Sequence, residues 1–434
     1  MSKGFLYFIC CVSAMGGLLF GYDWVVIGGA KPFYELYFGI ENSPSLQGLA
    51  MTTANIGCLV GAMVAGAMAD RFGRRPLLQT AAVLFTVSAI ATGLFNDFTL
   101  FNIARFIGGI GIGVASALSP MYIAEVSPAN IRGRLVSLNQ MTIVLGILAA
   151  QIVNMLLAQP VDAALSHTEL LDTWNITMGW RWMFWAETFP AALFLVMSFF
   201  IPESPVYVQM KAMGTTGIKS DTAGLGELFQ SKFAKVLLLG LIIAVFQQWC
   251  GTNVIFNYAQ EIFQSAGYNV DGMFINIVIT GIANVVFTVV ALYTVEKWGR
   301  RTLMLIGSLG LGLIYLTLGT CYYFQVEGIV MVILVVMGIS CYAMTLGPVT
   351  WVLLSEIFPN RIRGIAMATC TFALWVGCCT LTYTFPVMNA NLGSYGSFWI
   401  YSAICLVAYA YLFRRCPETK GKKLEELEAE LVND

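Results

Sequence analysis

The sequence predicts an all-α membrane protein with twelve transmembrane helices in two six-helix repeats. Three observations carry this reading. The 434 residues are 58% hydrophobic and only 11% charged, with a mean hydropathy of +0.76, whereas soluble domains carry roughly a quarter charged residues. Apolar runs of about 20 residues, the length that crosses a bilayer as a helix, recur between charged breaks. A short charged motif also occurs twice, at corresponding places in the two halves of the chain.

The runs lie near 5–30, 46–69, 77–95, 98–124, 135–157, 181–201, 235–260, 273–295, 302–324, 328–355, 365–388 and 396–413. Lys and Arg collect in cytoplasmic loops, which tests the count independently. Of the 23 basic residues, all but Lys31, Arg105 and Arg181 fall on one side of a twelve-span topology. Both termini are then cytoplasmic, in a multi-pass protein of the inner (plasma) membrane. The first run resembles a signal peptide, but it is too long and lacks a small-residue cleavage site, so it reads as a retained first helix. The 11 cysteines lie almost all within apolar spans, which argues against a disulfide framework or a metal site. His167 falls in the outer loop 158–180 and reads as solvated. Asn175-Ile176-Thr177 matches a glycosylation acceptor, relevant only in a secretory-pathway organism.

The repeated motif is Asp70-Arg71-Phe72-Gly73-Arg74-Arg75, echoed by Glu296-Lys297-Trp298-Gly299-Arg300-Arg301. Each reads as a tight turn between two spans: glycine takes the bend and charges sit at the helix ends. A second echo pairs Glu125-Val-Ser-Pro-x-x-Ile-Arg132-Gly133 with Glu356-Ile-Phe-Pro-x-x-Ile-Arg363-Gly364. Parallel six-helix repeats are the architecture of the major facilitator fold, in which substrate binds near the midplane between the halves. The expected division is an N-terminal half 1–202, a cytoplasmic linker 203–234 with short surface helices, a C-terminal half 235–414, and a cytoplasmic tail helix 415–434. The tail carries one apolar stripe through Leu424, Leu427 and Leu431. Matched acids and bases at the inner ends suit a gate of ion pairs: Asp70, Arg71, Arg74, Arg75, Glu125, Arg132, Glu203, Glu296, Arg300, Arg301, Glu356 and Arg363. Gly108-Gly109-Ile-Gly111-Ile-Gly113 resembles a dinucleotide loop, but no strand precedes it, so close helix packing explains it better.

Ionisable residues at membrane depth are costly and mark function. Asp23 lies eight residues before Lys31 and Arg105 eight after Asp97, each ~12 Å deep at ~1.5 Å per residue. Glu187, six residues after Arg181, lies ~9 Å deep. The three share a level, and a carboxylate approached and left by a guanidinium can take up and release a proton. Amides cluster as Gln247, Gln248, Asn253 and Asn257 in the seventh span, with Asn139, Gln140 and Gln151 in the fifth and Asn284 in the eighth. Trp351 and Trp375 stand in the tenth and eleventh. Amides with indoles suit a neutral polyhydroxylated ligand.

Together, Gly17-Leu-Leu-Phe-Gly-Tyr-Asp23, the Asp70–Arg75 turn, Pro202-Glu203-Ser204-Pro205, Gln247-Gln248, Glu356 to Gly364 and Pro417-Glu-Thr-Lys-Gly421 resemble the sugar porter family of the major facilitator superfamily. The pattern is similar to that of bacterial xylose– and arabinose–proton symporters and covers nearly the whole chain. The resemblance implies that Phe20, Gln140, Gln247, Gln248, Asn253, Asn284, Gly347, Trp351 and Trp375 meet the sugar. It also implies that Asp23 carries the proton, with Arg105 its partner and Glu187 beside them. The chain departs from the family at Ile147, where a second glutamine is usual, with Gln151 one turn later. It departs again at Asn257 for a tyrosine, at Leu374 for an amide and at Val206 for an arginine. These changes point to a less hydroxylated, differently configured or deoxy sugar.

The expected function is proton-coupled import of a monosaccharide (pentose, hexose or deoxyhexose) by alternating access, by a monomer in the lipid bilayer. Its partners are sugar and protons, with no nucleic acid, cofactor or metal. The alternatives are a passive sugar uniporter, then a sugar sensor or a small-molecule exporter on the same fold. No hydrolase constellation, Walker loop or metal-ligand spacing is present, so the chain does not read as an enzyme.

Overall fold

The structure, a computed structural model, describes residues 2–128, 131–161, 165–214, 228, 230–359 and 362–422. Most of the expected linker (215–227 and 229), the tail stripe from Leu424 to Leu431 and the side chain of Glu296 lie outside the described residues.

Helices run in chain order as α1 (Lys3–Phe38), α2 (Pro44–Phe72), α3 (Arg74–Leu94), α4 (Phe98–Val126), α5 (Arg132–Leu157), α6 (His167–Leu171), α7 (Trp180–Ser198) and α8 (Pro205–Ala212). They continue as α9 (Ser231–Trp249), α10 (Thr252–Asn257), α11 (Ala259–Ser265), α12 (Val270–Trp298), α13 (Arg300–Tyr323), α14 (Ile329–Met344), α15 (Leu346–Ile357) and α16 (Arg363–Arg415). Ten described segments are long and apolar enough to cross a membrane. One of them, α16, has 53 residues and breaks at Gly393. Its length of ~80 Å spans a ~30 Å core twice. The 19-residue α7 falls outside those ten, because its apolar residues share the helix with Arg181, Glu187 and Pro190. With it the spans number twelve.

By contact the chain forms two compact units: Met1–Ile218 with Asn269–Gly281, and Lys219–Tyr268 with Ile282–Asp434. In the first, glycines bring backbones together. A methyl group on Gly109 would overlap the Ala54 carbonyl of α2, so the glycine-rich run of α4 is a packing face. An aromatic cluster of Phe38, Phe101, Trp180 and Phe184 joins α1, α4 and α7, with ring centroids 5.3 to 6.4 Å apart. Asn175 is 1% exposed, and its amide exchanges two 2.8 Å hydrogen bonds with the backbone of Gln159. The match to a glycosylation acceptor is therefore misleading: this asparagine closes the outer loop.

In the second unit the seventh span is not one helix. Gly251 at φ +89° ends α9, and Tyr258 at φ −122° separates α10 from α11. Only glycine takes that backbone readily, and the Tyr401 ring lies against it, 2.9 Å from where a Cβ would stand. The tenth span divides at Thr345 into α14 and α15.

Gly251→Ala should therefore lower the thermal melting midpoint of the detergent-solubilised protein by several degrees, since such a backbone costs ~1–3 kcal/mol for other residues. Gly66→Ala, with nothing within 4 Å of the new methyl, should leave it unchanged. Equal midpoints would contradict a strained break.

Candidate functional site

Three buried charges meet inside the first unit. α1 and α4 present Asp23 and Arg105, 1% and 2% exposed. The Arg105 guanidinium donates through Nη1 to Asp23 Oδ1 and through Nη2 to the Asp23 carbonyl at 3.1 Å. It also lies over the Phe184 ring, 5.3 Å from the centroid, where the ring's negative face favours a desolvated cation. Glu187, 2% exposed on the same helix as Phe184, lies in the electrostatic field of both Asp23 and Arg105. The level that Asp23 and Arg105 share in the sequence is thus a level shared in space. Asp23 Oδ2, Glu187 Oε1 and Arg105 Nε have no hydrogen-bond partner. Tyr22, beside Asp23, donates to the Met183 carbonyl at 3.2 Å.

Also in the first unit, Phe20 meets Trp24 edge to face at 5.9 Å, and Gln140 is half-buried. Gln151 is 1% exposed with both amide atoms unpartnered, and its Oε1 occupies the place of a side chain at Gly281. Ile147 is 8% exposed.

The second unit gathers another subset of the expected sugar contacts. The break at Gly251 turns α10 back so that Asn253 Nδ2 donates to Gln248 Oε1. Gln248 Nε2 donates to Gln247 Oε1 at 3.2 Å, and Gln247 Nε2 to the Gly347 carbonyl at 3.3 Å. One hydrogen-bonded row of amides results, built from α9, α10 and α15. Asn257, Asn284, Leu374 and Trp375 are buried, whereas Trp351 is 39% exposed.

The inner ends repeat one charged arrangement in each unit. In the first, Arg74 bonds Glu125 (Nη2 to Oε1 3.0 Å, Nε to Oε2 3.0 Å) and pairs with Asp70 at 3.1 Å. Glu203 Oε1 accepts from the backbone N–H groups of Arg74 and Arg75 at 3.0 and 3.2 Å, and Ser204 donates to Glu125. In the second, Arg300 pairs with Glu356 at 3.0 Å, Glu418 accepts from the Arg300 N–H at 3.0 Å, and Thr419 donates to Glu356 at 2.5 Å. Each acid after a proline thus satisfies free donors at a helix N-terminus, and the next hydroxyl holds Glu125 or Glu356. Ser204, Glu418 and Thr419 were not among the ion-pair residues expected from sequence, although the Pro-Glu-Ser and Pro-Glu-Thr motifs were the available signal. Arg75 and Arg301 bond the carbonyls of Phe199 and Phe413 at 2.8 and 2.7 Å, and Arg363 turns back on the Phe358 carbonyl. Arg71 and Arg132 are exposed and enter no ion pair among the described residues.

A family model described as "Sugar (and other) transporter" matches residues 9–216 and 208–431. The D-xylose-proton symporter of Escherichia coli (strain K12) is 38% identical over 99% of this chain and 96% of its own. The arabinose-proton symporter of Bacillus subtilis (strain 168) is 35% identical over 98% and 95%. Among solved structures, the inward open conformation of the xylose transporter XylE from E. coli superimposes with a TM-score of 0.85, at 38% identity, over 98% of this chain and 100% of that one. The chain belongs to the sugar transporter family, the sugar porters of the major facilitator superfamily.

Proposed function

We propose that this protein is a proton-coupled symporter that imports a monosaccharide (a pentose, hexose or deoxyhexose) across the inner membrane, with both termini cytoplasmic and one chain as the transport unit. The observation that carries the reading is the buried cluster in which one guanidinium faces two carboxylates. Arg105 balances the charge of only one of Asp23 and Glu187, and a second anion at that depth is costly. The cluster therefore holds a proton most economically when Arg105 leaves Asp23 and releases it when Arg105 returns. Proton binding and the rocking of the two halves, 1–202 and 235–414, are coupled through that exchange.

The amide row Gln247–Gln248–Asn253, with Gly347, supplies donors and acceptors for hydroxyl groups. Trp351, Trp375 and Phe20 supply apolar faces for the sugar ring, and Gln140, Gln151, Asn257 and Asn284 complete the polar lining. Ile147 and Leu374 present hydrocarbon instead, which favours a sugar with a deoxy or reconfigured position. The charged arrangements at the inner ends form the cytoplasmic gate. No step requires a cofactor, and passive uniport is the alternative.

Asp23→Asn separates symport from uniport. In proteoliposomes it should abolish accumulation against a gradient while retaining sugar exchange; accumulation that survives the substitution would contradict coupling through Asp23. For the gate, Glu356→Gln should speed sugar exchange or destabilise the protein by about 1–3 kcal/mol, the value of a charge-assisted hydrogen bond. Exchange kinetics and thermal melting both unchanged would remove that role.

A further inference from the structure

Asp23 Oδ2, the carboxylate oxygen turned away from Arg105, is buried without a partner. Gly108 of α4 lies beside it. A methyl group built on Gly108 would overlap Ser88 Oγ, reach Ser88 Cβ at 2.9 Å and come within 3.1 Å of Asp23 Oδ2. The Ser88 hydroxyl and the free carboxylate oxygen thus both lie close against Gly108, where α1, α3 and α4 come together. Ser88 is 3% exposed, and its proton is committed to the Ala104 carbonyl at 2.8 Å. A hydroxyl whose proton is engaged elsewhere offers lone pairs. Lone pairs accept from a carboxylic acid O–H and repel a carboxylate.

We propose that Ser88 is a positioning residue for the transported proton: it accepts the hydrogen bond of protonated Asp23 beside Gly108. When Arg105 withdraws, a proton binds Oδ2, and the new O–H donates to Ser88 Oγ while Ser88 keeps its bond to Ala104. When Arg105 returns, the proton leaves and the carboxylate turns to the guanidinium. The inference rests on the reading that Asp23 carries the proton, and it names the group that makes the acid form favourable.

Other charges around Asp23 are Arg105 on α4 and Glu187 on α7, with the Tyr22 phenol on its own helix. Arg181, also on α7, is turned to the Gly93 carbonyl and Asn96. Glu125 of α4 and the charges of α2, α3 and α5 (Asp70, Arg71, Arg74, Arg75, Arg132 and Arg134) lie at their cytoplasmic ends. Ser88 is therefore uncharged, and removing it leaves every one of these groups in place.

The test is sugar uptake by proteoliposomes as a function of external pH, for wild type, Ser88→Ala and Gly108→Ala. Removing the acceptor disfavours the protonated form, so the midpoint of uptake should move to lower pH by about half a unit or more, the effect of one hydrogen bond. Gly108→Ala, whose methyl would displace the Ser88 hydroxyl, should move it the same way. Sugar exchange at acid pH, where the carboxyl is protonated in all three, should stay near wild type and marks folded protein. A midpoint unchanged or raised in either folded variant would overturn the assignment of Ser88. Wild-type uptake without any dependence on pH would instead overturn the symport reading.

Discussion

Arg105 held against Asp23 at membrane depth is the interaction on which the first unit is organised. Removing two charges from water costs several kcal/mol per ion, and mutual attraction offsets that only with good geometry. Here the guanidinium makes two hydrogen bonds to Asp23, one of them to its backbone carbonyl, and lies over Phe184. Phe184 belongs in turn to the aromatic cluster that α1, α4 and α7 share beside this pair. A second acid, Glu187, lies in the same field, so one guanidinium faces the charge of two acids.

The inner ends show how a duplicated architecture reuses one solution. Gly73 and Gly299, at φ +99° and +88°, each turn the chain so that the next helix begins with its N–H groups unsatisfied. Glu203 and Glu418 fill that role, while Ser204 and Thr419 fix the glutamates that face the turn arginines. The two arrangements share residue chemistry as well as topology, which is what repetition of a single six-helix unit would leave.

Much of this was legible in the chain. The partition of Lys and Arg and the two motif echoes define the spans, because membrane insertion writes charge asymmetry directly into sequence. The depth argument for Asp23, Arg105 and Glu187 anticipates their meeting, since helix rise is uniform. Hydropathy left other features unread. The seventh span looks continuous although Gly251 breaks it, because one αL glycine does not interrupt an apolar run. Glu418 and Thr419 sit in a tail motif whose link to Arg300 and Glu356 exists only after folding. Ser88 looks like any small polar residue in an apolar helix until Gly108 is placed beside it. Asn175 carries an acceptor pattern, yet its amide is spent on the backbone of Gln159.

The most direct measurement is the movement of protons driven by sugar itself. In proteoliposomes holding the purified protein and a pH-sensitive dye, at equal pH and with the membrane potential clamped, an inward sugar gradient should acidify the interior. Sugar entry with no acidification would contradict the account.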